Sequence, residues 1–282
     1  MSISFVLISF LMELGAGMMA TVSFIPTATV DRRFFKTISF YAALFTCSAL
    51  LLSHYSTFRL AAPFLIPTDL ENIQERVKRI AFLFGVLNLL LWGGLRFTER
   101  RLGRLPFIAI GLVGLIMVWV ESLLFCAAAG PRWVQQILIP LHFLSSSMIL
   151  GGFLAGMIFG HWYLVNTEMP KRLLLTMAWI LIGVLGLRFL AVGTTLGLYR
   201  WVVTPNSDFL THLISFEGHG IFFWQRVLIG LAIPTGVVAM IWNTARIGAN
   251  QSATGIMYVG IAFIFIGELA ARYLFLLSAI PL

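Results

Sequence analysis

The apolar positions of this chain come in long runs, and the polar residues collect in the short stretches between them. A helix needs about 20 predominantly apolar residues to cross the hydrocarbon core of a bilayer. Runs of that kind predict eight helices, near 3–26, 37–54, 79–97, 106–129, 134–161, 172–197, 221–245 and 253–280. Most connections are short, so neighbours are antiparallel, and the two longer ones, 55–78 and 198–220, emerge on one side. The expected fold is an all-α integral membrane protein: a single transmembrane domain over residues 1–282, arranged as two four-helix bundles.

Composition supports the pattern. Of the 282 residues 60% are hydrophobic and only 11% charged, with a mean hydropathy of +0.96, whereas soluble domains average about 25% charged residues. The net charge of +8 therefore points to loops facing anionic headgroups, not to nucleic acid. Ten Lys and Arg (Arg32, Arg33, Lys36, Arg96, Arg100, Arg101, Arg104, Lys171, Arg172, Arg246) flank one side, and six (Arg59, Arg76, Lys78, Arg79, Arg132, Arg200) flank the other. The positive-inside rule places the ten in the cytoplasm and both termini outside. No positively charged segment precedes the first apolar run, so no signal peptide is expected.

Small residues mark close helix contacts at Gly15-Ala16-Gly17 and in the series Gly152, Gly156, Gly160. Pro140 and Pro234 should kink helices five and seven, with Ser145-Ser146-Ser147 placed to re-satisfy carbonyls freed near Pro140.

Orientation gives each ionisable residue a depth, at about 1.5 Å per residue. Glu268 and Arg272 fall past the middle of the outward-running eighth helix, and Glu121 and Arg188 in the outer halves of the fourth and sixth. His142 and Arg226 fall near the outer starts of the fifth and seventh, His54 at the outer end of the second, and Glu75 just before the third. Glu13, near mid-membrane, and His161, at the inner boundary, stand apart. Glu268 and Arg272 are spaced to pair directly on one helix face, and each charge would cost roughly 2.5–3.5 kcal/mol to insert alone. Arg226 reads as a side chain snorkelling to headgroups. His54, His142 and His161 read equally as interfacial residues, and Glu75 as a solvated charge beside Asp69 and Glu71.

Taken together, the outer groups place acids, bases and donors beside apolar walls. A quinone site needs that combination, with donors for two carbonyl oxygens and a carboxylate to accept protons. A proton-coupled transporter needs intramembrane acids as well, and spacing does not separate the two. His54 and His142, at similar depth on different helices, would also suit a b-type cytochrome with one outer-leaflet haem. The two cysteines, Cys47 and Cys126, are too few for an iron–sulfur cluster, which takes about four thiolates.

Trp224-Gln225-Arg226-Val227 opening the seventh helix and Gly267-Glu268-Leu269-Ala270-Ala271-Arg272-Tyr273-Leu274-Phe275 in the eighth resemble the membrane anchor subunits of DMSO reductase. Those anchors belong to the polysulfide reductase and NrfD-like superfamily. The resemblance extends to His54-Tyr55-Ser56-Thr57-Phe58-Arg59 and to Glu75. The chain departs from the anchors in lacking Gly and Pro after that His, in an Arg59 one residue early, and in Ala271 where Gly is common. The resemblance implies a subunit of the bacterial inner membrane that binds menaquinone or ubiquinone near the outer leaflet and holds no metal of its own. It also implies a four-cluster iron–sulfur partner, usually beside a molybdopterin catalytic subunit. The family's quinone-site His and Glu would fall on His54 and Glu75, with Arg59 beside them, and His142 is a second candidate quinone ligand by its depth. Glu13, Glu121, Arg188, Glu268 and Arg272 would form a proton path or polar core, and the loops carrying Asp208, His212, Glu217 and His219 would face the electron-carrying partner.

Overall fold

The computed structural model describes residues 3–55, 70–97, 102–125, 132–165, 172–203, 215, 220–278 and 280–282. Eight of its helices are long and apolar enough to cross a membrane, and the chain is a multi-pass membrane protein in architecture. They are α1 (Ile3–Val22), α2 (Arg32–Tyr55), α3 (Leu70–Phe97), α4 (Leu105–Ser122), α5 (Arg132–Val165), α6 (Arg172–Leu198), α7 (Gly220–Arg246) and α8 (Asn250–Ser278). No strand occurs among the described residues.

Several helices start or end beyond the apolar runs, because polar residues flanking a span can still complete helical turns. α2 begins at Arg32, five residues before its run, where Asp31 Oδ1 accepts the Arg33 N–H at 2.8 Å and caps the first turn. α3 begins at Leu70, so Glu75 lies inside the helix instead of before it and pairs with Lys78 at 3.2 Å. α6 runs on into a π turn over Tyr199–Val203. α7 and α8 are joined by a tight turn in which Gly248 has φ 77°, the left-handed conformation that ends a helix at least cost in glycine.

The most deeply packed spans are α1 and α5, with 78% and 72% of their apolar windows buried, against 33% for α3 and α7. They meet backbone to backbone: a Cβ on Gly17 would stand 1.7 Å from the Ser147 carbonyl oxygen, and one on Gly151 would stand 2.1 Å from Gly17. One turn earlier on both helices, Ser147 Oγ donates to the Glu13 carbonyl at 2.9 Å. The two registers advance together, so α1 and α5 run parallel. α2 and α4 pack on α1, α3 on α2 and α4, and α6 and α8 on α5, with α7 against α6 and α8.

Of the expected glycine contacts, Gly17 is the tightest, but its partner is Gly151, outside the series read from the sequence. Gly156 and Gly160 do serve close contacts, with Met177 of α6 and Thr254 of α8. Ser145-Ser146-Ser147 do not repair carbonyls freed at Pro140. Ser145 donates to the His142 carbonyl at 3.1 Å, and Ser146 and Ser147 donate across to Glu13.

α7 shows what its proline does. Pro234 has no N–H for the carbonyl four residues back, and the helix widens to a π turn over Leu228–Ala232. That carbonyl belongs to Gly230, and Arg226 Nη1 donates to it at 3.4 Å. Gly230 also lies against Gly267 of α8, where an added Cβ would come within 2.2 Å. The close crossing sets Arg226 beside Glu268.

Candidate functional site

Glu268 and Arg272 share a face of α8 but do not pair with each other. Arg188 of α6 grips Glu268 with a two-pronged fork, Nε to Oε1 at 3.1 Å and Nη2 to Oε2 at 2.7 Å. Arg226 of α7 comes from the other side, its Nη2 3.0 Å from Oε1. Arg226 is 1% exposed, so it is a core residue and not a snorkelling one. Arg272 pairs instead with Glu13 of α1, whose other oxygen accepts the Ser146 hydroxyl at 2.8 Å. Its guanidinium also lies over the Phe143 ring, 3.8 Å from the centroid. Ser146 lies beside Glu268 as well, so one hydroxyl on α5 stands between the two ion pairs.

His142 completes the network. Arg188 Nη1 lies 2.9 Å from His142 Nδ1, 3.0 Å from its carbonyl and 3.0 Å from Ser145 Oγ, and Arg188 Nη2 also reaches the Leu282 carbonyl at 3.3 Å. Guanidinium nitrogens only donate, so Nδ1 accepts and the imidazole proton sits on Nε2. From there it is donated to Thr195 Oγ1 at 2.7 Å, with the Ala191 carbonyl at 3.0 Å. Both ring nitrogens are therefore engaged, and haem ligation by His142 would have to break one of these bonds. A cavity of about 20 Å³ adjoins His142, Phe143, Arg188, Arg272 and Phe275. That is room for one water, beside the Arg272 Nη1 that has no hydrogen-bond partner.

The network spans α1, α5, α6, α7 and α8, every charged member at least nine-tenths buried. Such pairs contribute little net stability once desolvation is counted, yet losing one partner costs about 3–5 kcal/mol because the other charge is left stranded. Arranged this way the residues can lock helices together or relay protons. Glu121, grouped with them by depth, is absent from the network and lies on α4 with the Ser9 hydroxyl beside it.

The expected quinone residues do not converge with His142. His54 at the end of α2 and Glu75 near the start of α3 are both exposed. Arg59, Asp208, His212, Glu217, His219 and Cys126 lie outside the described residues. A cleft of about 340 Å³ does open between the first turns of α3 and the last turns of α4, lined by Ile73, Arg76, Arg79, Ile80, Trp119, Val120 and Leu123. His161 is exposed at the end of α5, while its neighbour Tyr163 is buried and accepts the Leu174 N–H at 3.1 Å, capping the first turn of α6. Among the described residues no group of three His, Cys, Asp or Glu side chains is placed to hold a metal ion.

Sequence reasoning missed Ser145, Ser146 and Thr195 as partners of the charged residues. It also misread Arg226, although one signal was available: Arg226, Gly230 and Pro234 are spaced four apart, which puts a donor over the carbonyl that the proline strands. The chain matches no protein-family model and no curated protein.

Proposed function

We propose that this chain is a quinone-binding membrane subunit of an electron-transfer complex, exchanging electrons between membrane quinone and an iron–sulfur partner on the outer face of a bacterial inner membrane. In this reading both termini are outside, and α1–α4 and α5–α8 form two four-helix bundles. The observation that carries it is the cleft between α3 and α4. Its volume of about 340 Å³ falls in the range of small-molecule sites, roughly 300–1,000 Å³. Apolar side chains supply walls for a ring and an isoprenoid tail, and the Arg76 and Arg79 guanidiniums are donors for a carbonyl oxygen. Glu75 precedes Arg76 on the same helix, exposed and able to take up a proton. Menaquinone or ubiquinone would supply the two-electron redox chemistry, while this chain binds, orients and removes protons. The buried network of Glu13, Arg188, Glu268 and Arg272 would then be polar core or proton path. It is also the feature that favours a proton-coupled transporter as the second reading.

Binding separates the two readings. In protein reconstituted into nanodiscs, an Arg76→Ala/Arg79→Ala variant is expected to lose a quinone analogue's affinity by about a hundredfold or more, two charge-assisted hydrogen bonds each contributing about 1.5–3 kcal/mol. Glu75→Gln should keep binding and slow quinol-linked electron transfer. Unchanged affinity in the double variant would overturn the quinone reading, and proton-driven solute uptake by the chain alone would favour the transporter.

A further inference from the structure

Glu121 is the buried acid that the ionic network leaves out. It sits in the last turn of α4, 2% exposed, and its Oε2 has no hydrogen-bond partner. Among the described residues no Lys, Arg or His makes an ion pair with it. A carboxylate in that position would keep its charge with only the neutral Ser9 hydroxyl beside it to offset the loss of water, whereas the neutral acid avoids that cost.

The surroundings of Glu121 are not sealed. A cavity of about 20 Å³ adjoins it, lined by Ile8 and Met12 of α1, Ser53 of α2, Gln74, Val77 and Lys78 of α3, and Leu124. That is room for one water. The polar side chains of the lining lead outward. Ser53 Oγ gives its proton to the Leu50 carbonyl at 2.7 Å and keeps lone pairs free. Gln74 is half-buried, and Lys78 bonds the exposed Glu75 at 3.2 Å. The other charged groups nearby are accounted for: Glu13, one turn from Ser9 on α1, is held by Arg272, His54, beside Ser53, is exposed, and Arg76 and Arg79 of α3 are exposed and line the separate cleft with Val120 and Leu123. A metal cation is a poor occupant, since Lys78 brings its own positive charge to the lining, and an anion would meet Glu121.

We infer that Glu121 is a proton-exchange site, a carboxylic acid that trades its proton with the aqueous phase at the N-terminal end of α3 through a water in this cavity. In release the carboxyl O–H bond breaks, its electron pair stays on the carboxylate oxygen, and the proton joins the cavity water as hydronium, to leave past Gln74 and Lys78. Uptake is the reverse, and nothing is oxidised or reduced. The inference stands on Glu121 and its cavity and does not require the quinone reading.

Infrared spectroscopy of the chain in lipid bilayers tests it. The wild type is expected to show a carboxylic C=O band near neutral pH that Glu121→Gln removes, and this band should shift within the mixing time on transfer to D2O. Val77→Phe fills the cavity and should slow that shift by about tenfold or more, exchange then waiting on local opening of the helices. Glu121→Asp, should the Gln variant not fold, is expected to move the band to a new frequency. A carboxylic band untouched by both Glu121 variants would show an ionised Glu121 and overturn the inference. So would a Glu121 band whose exchange is as slow in the wild type as in Val77→Phe, because the acid would then be sealed off from water.

Discussion

Glu268 has a neighbour of opposite charge one turn away, yet its partners come from two other helices. A direct pair within α8 would have neutralised both charges and joined nothing. Crossing them over, with Arg188 and Arg226 on Glu268 and Glu13 on Arg272, uses the charges to tie four spans, and Ser146 and His142 bring in α5 as a fifth. Arg272→Met should therefore lower stability by about 3–5 kcal/mol, by stranding Glu13 in the core. Adding Glu13→Gln should recover most of that loss, and a double-mutant cycle read by chemical unfolding in detergent checks the coupling. Apart from Arg226, which residues are ionisable and buried was legible in the sequence, because an acid or base inside an apolar run is conspicuous. Which of them pair was not, since partners are set by how each helix is rotated about its axis, and that depends on contacts as small as Gly230 against Gly267.

At the scale of elements, all eight spans were legible, because hydrocarbon thickness sets their length. Their ends were less so: the turns of α2 and α3 beyond the apolar runs are held by local bonds, Asp31 to Arg33 and Glu75 to Lys78, which a count of apolar residues does not register. The seam of α1 with α5 depends on two glycines with no room for a methyl group. Gly151→Val should force the helices apart and carry Ser146 and Ser147 away from Glu13. Overpacking alone costs roughly 1–3 kcal/mol, and the stranded carboxylate adds to it. Gly183→Val, on α6 with nothing within 4 Å of its added Cβ, is the control expected to unfold with the wild type in the same thermal scan.

For the whole molecule, the two candidate chemistries lie in different places. The α3–α4 cleft and the Glu121 cavity are built by the first four helices, while the ionic network is centred on α5–α8 and reaches α1 through Glu13. Depth along the sequence had merged these groups into one outer cluster, because residues at equal depth on different helices cannot be separated without knowing which helices touch. The Glu13–Arg272 pair has a further consequence, one of timing. It joins the first span to the eighth, so during synthesis Glu13 enters the bilayer long before its partner exists. The chain carries an open charge until α8 arrives, and closing it reports that every intervening helix is in place. A version stopped after α7 should be cleared rapidly by membrane quality control, and Glu13→Gln in that shortened chain should lengthen its lifetime in a pulse-chase measurement.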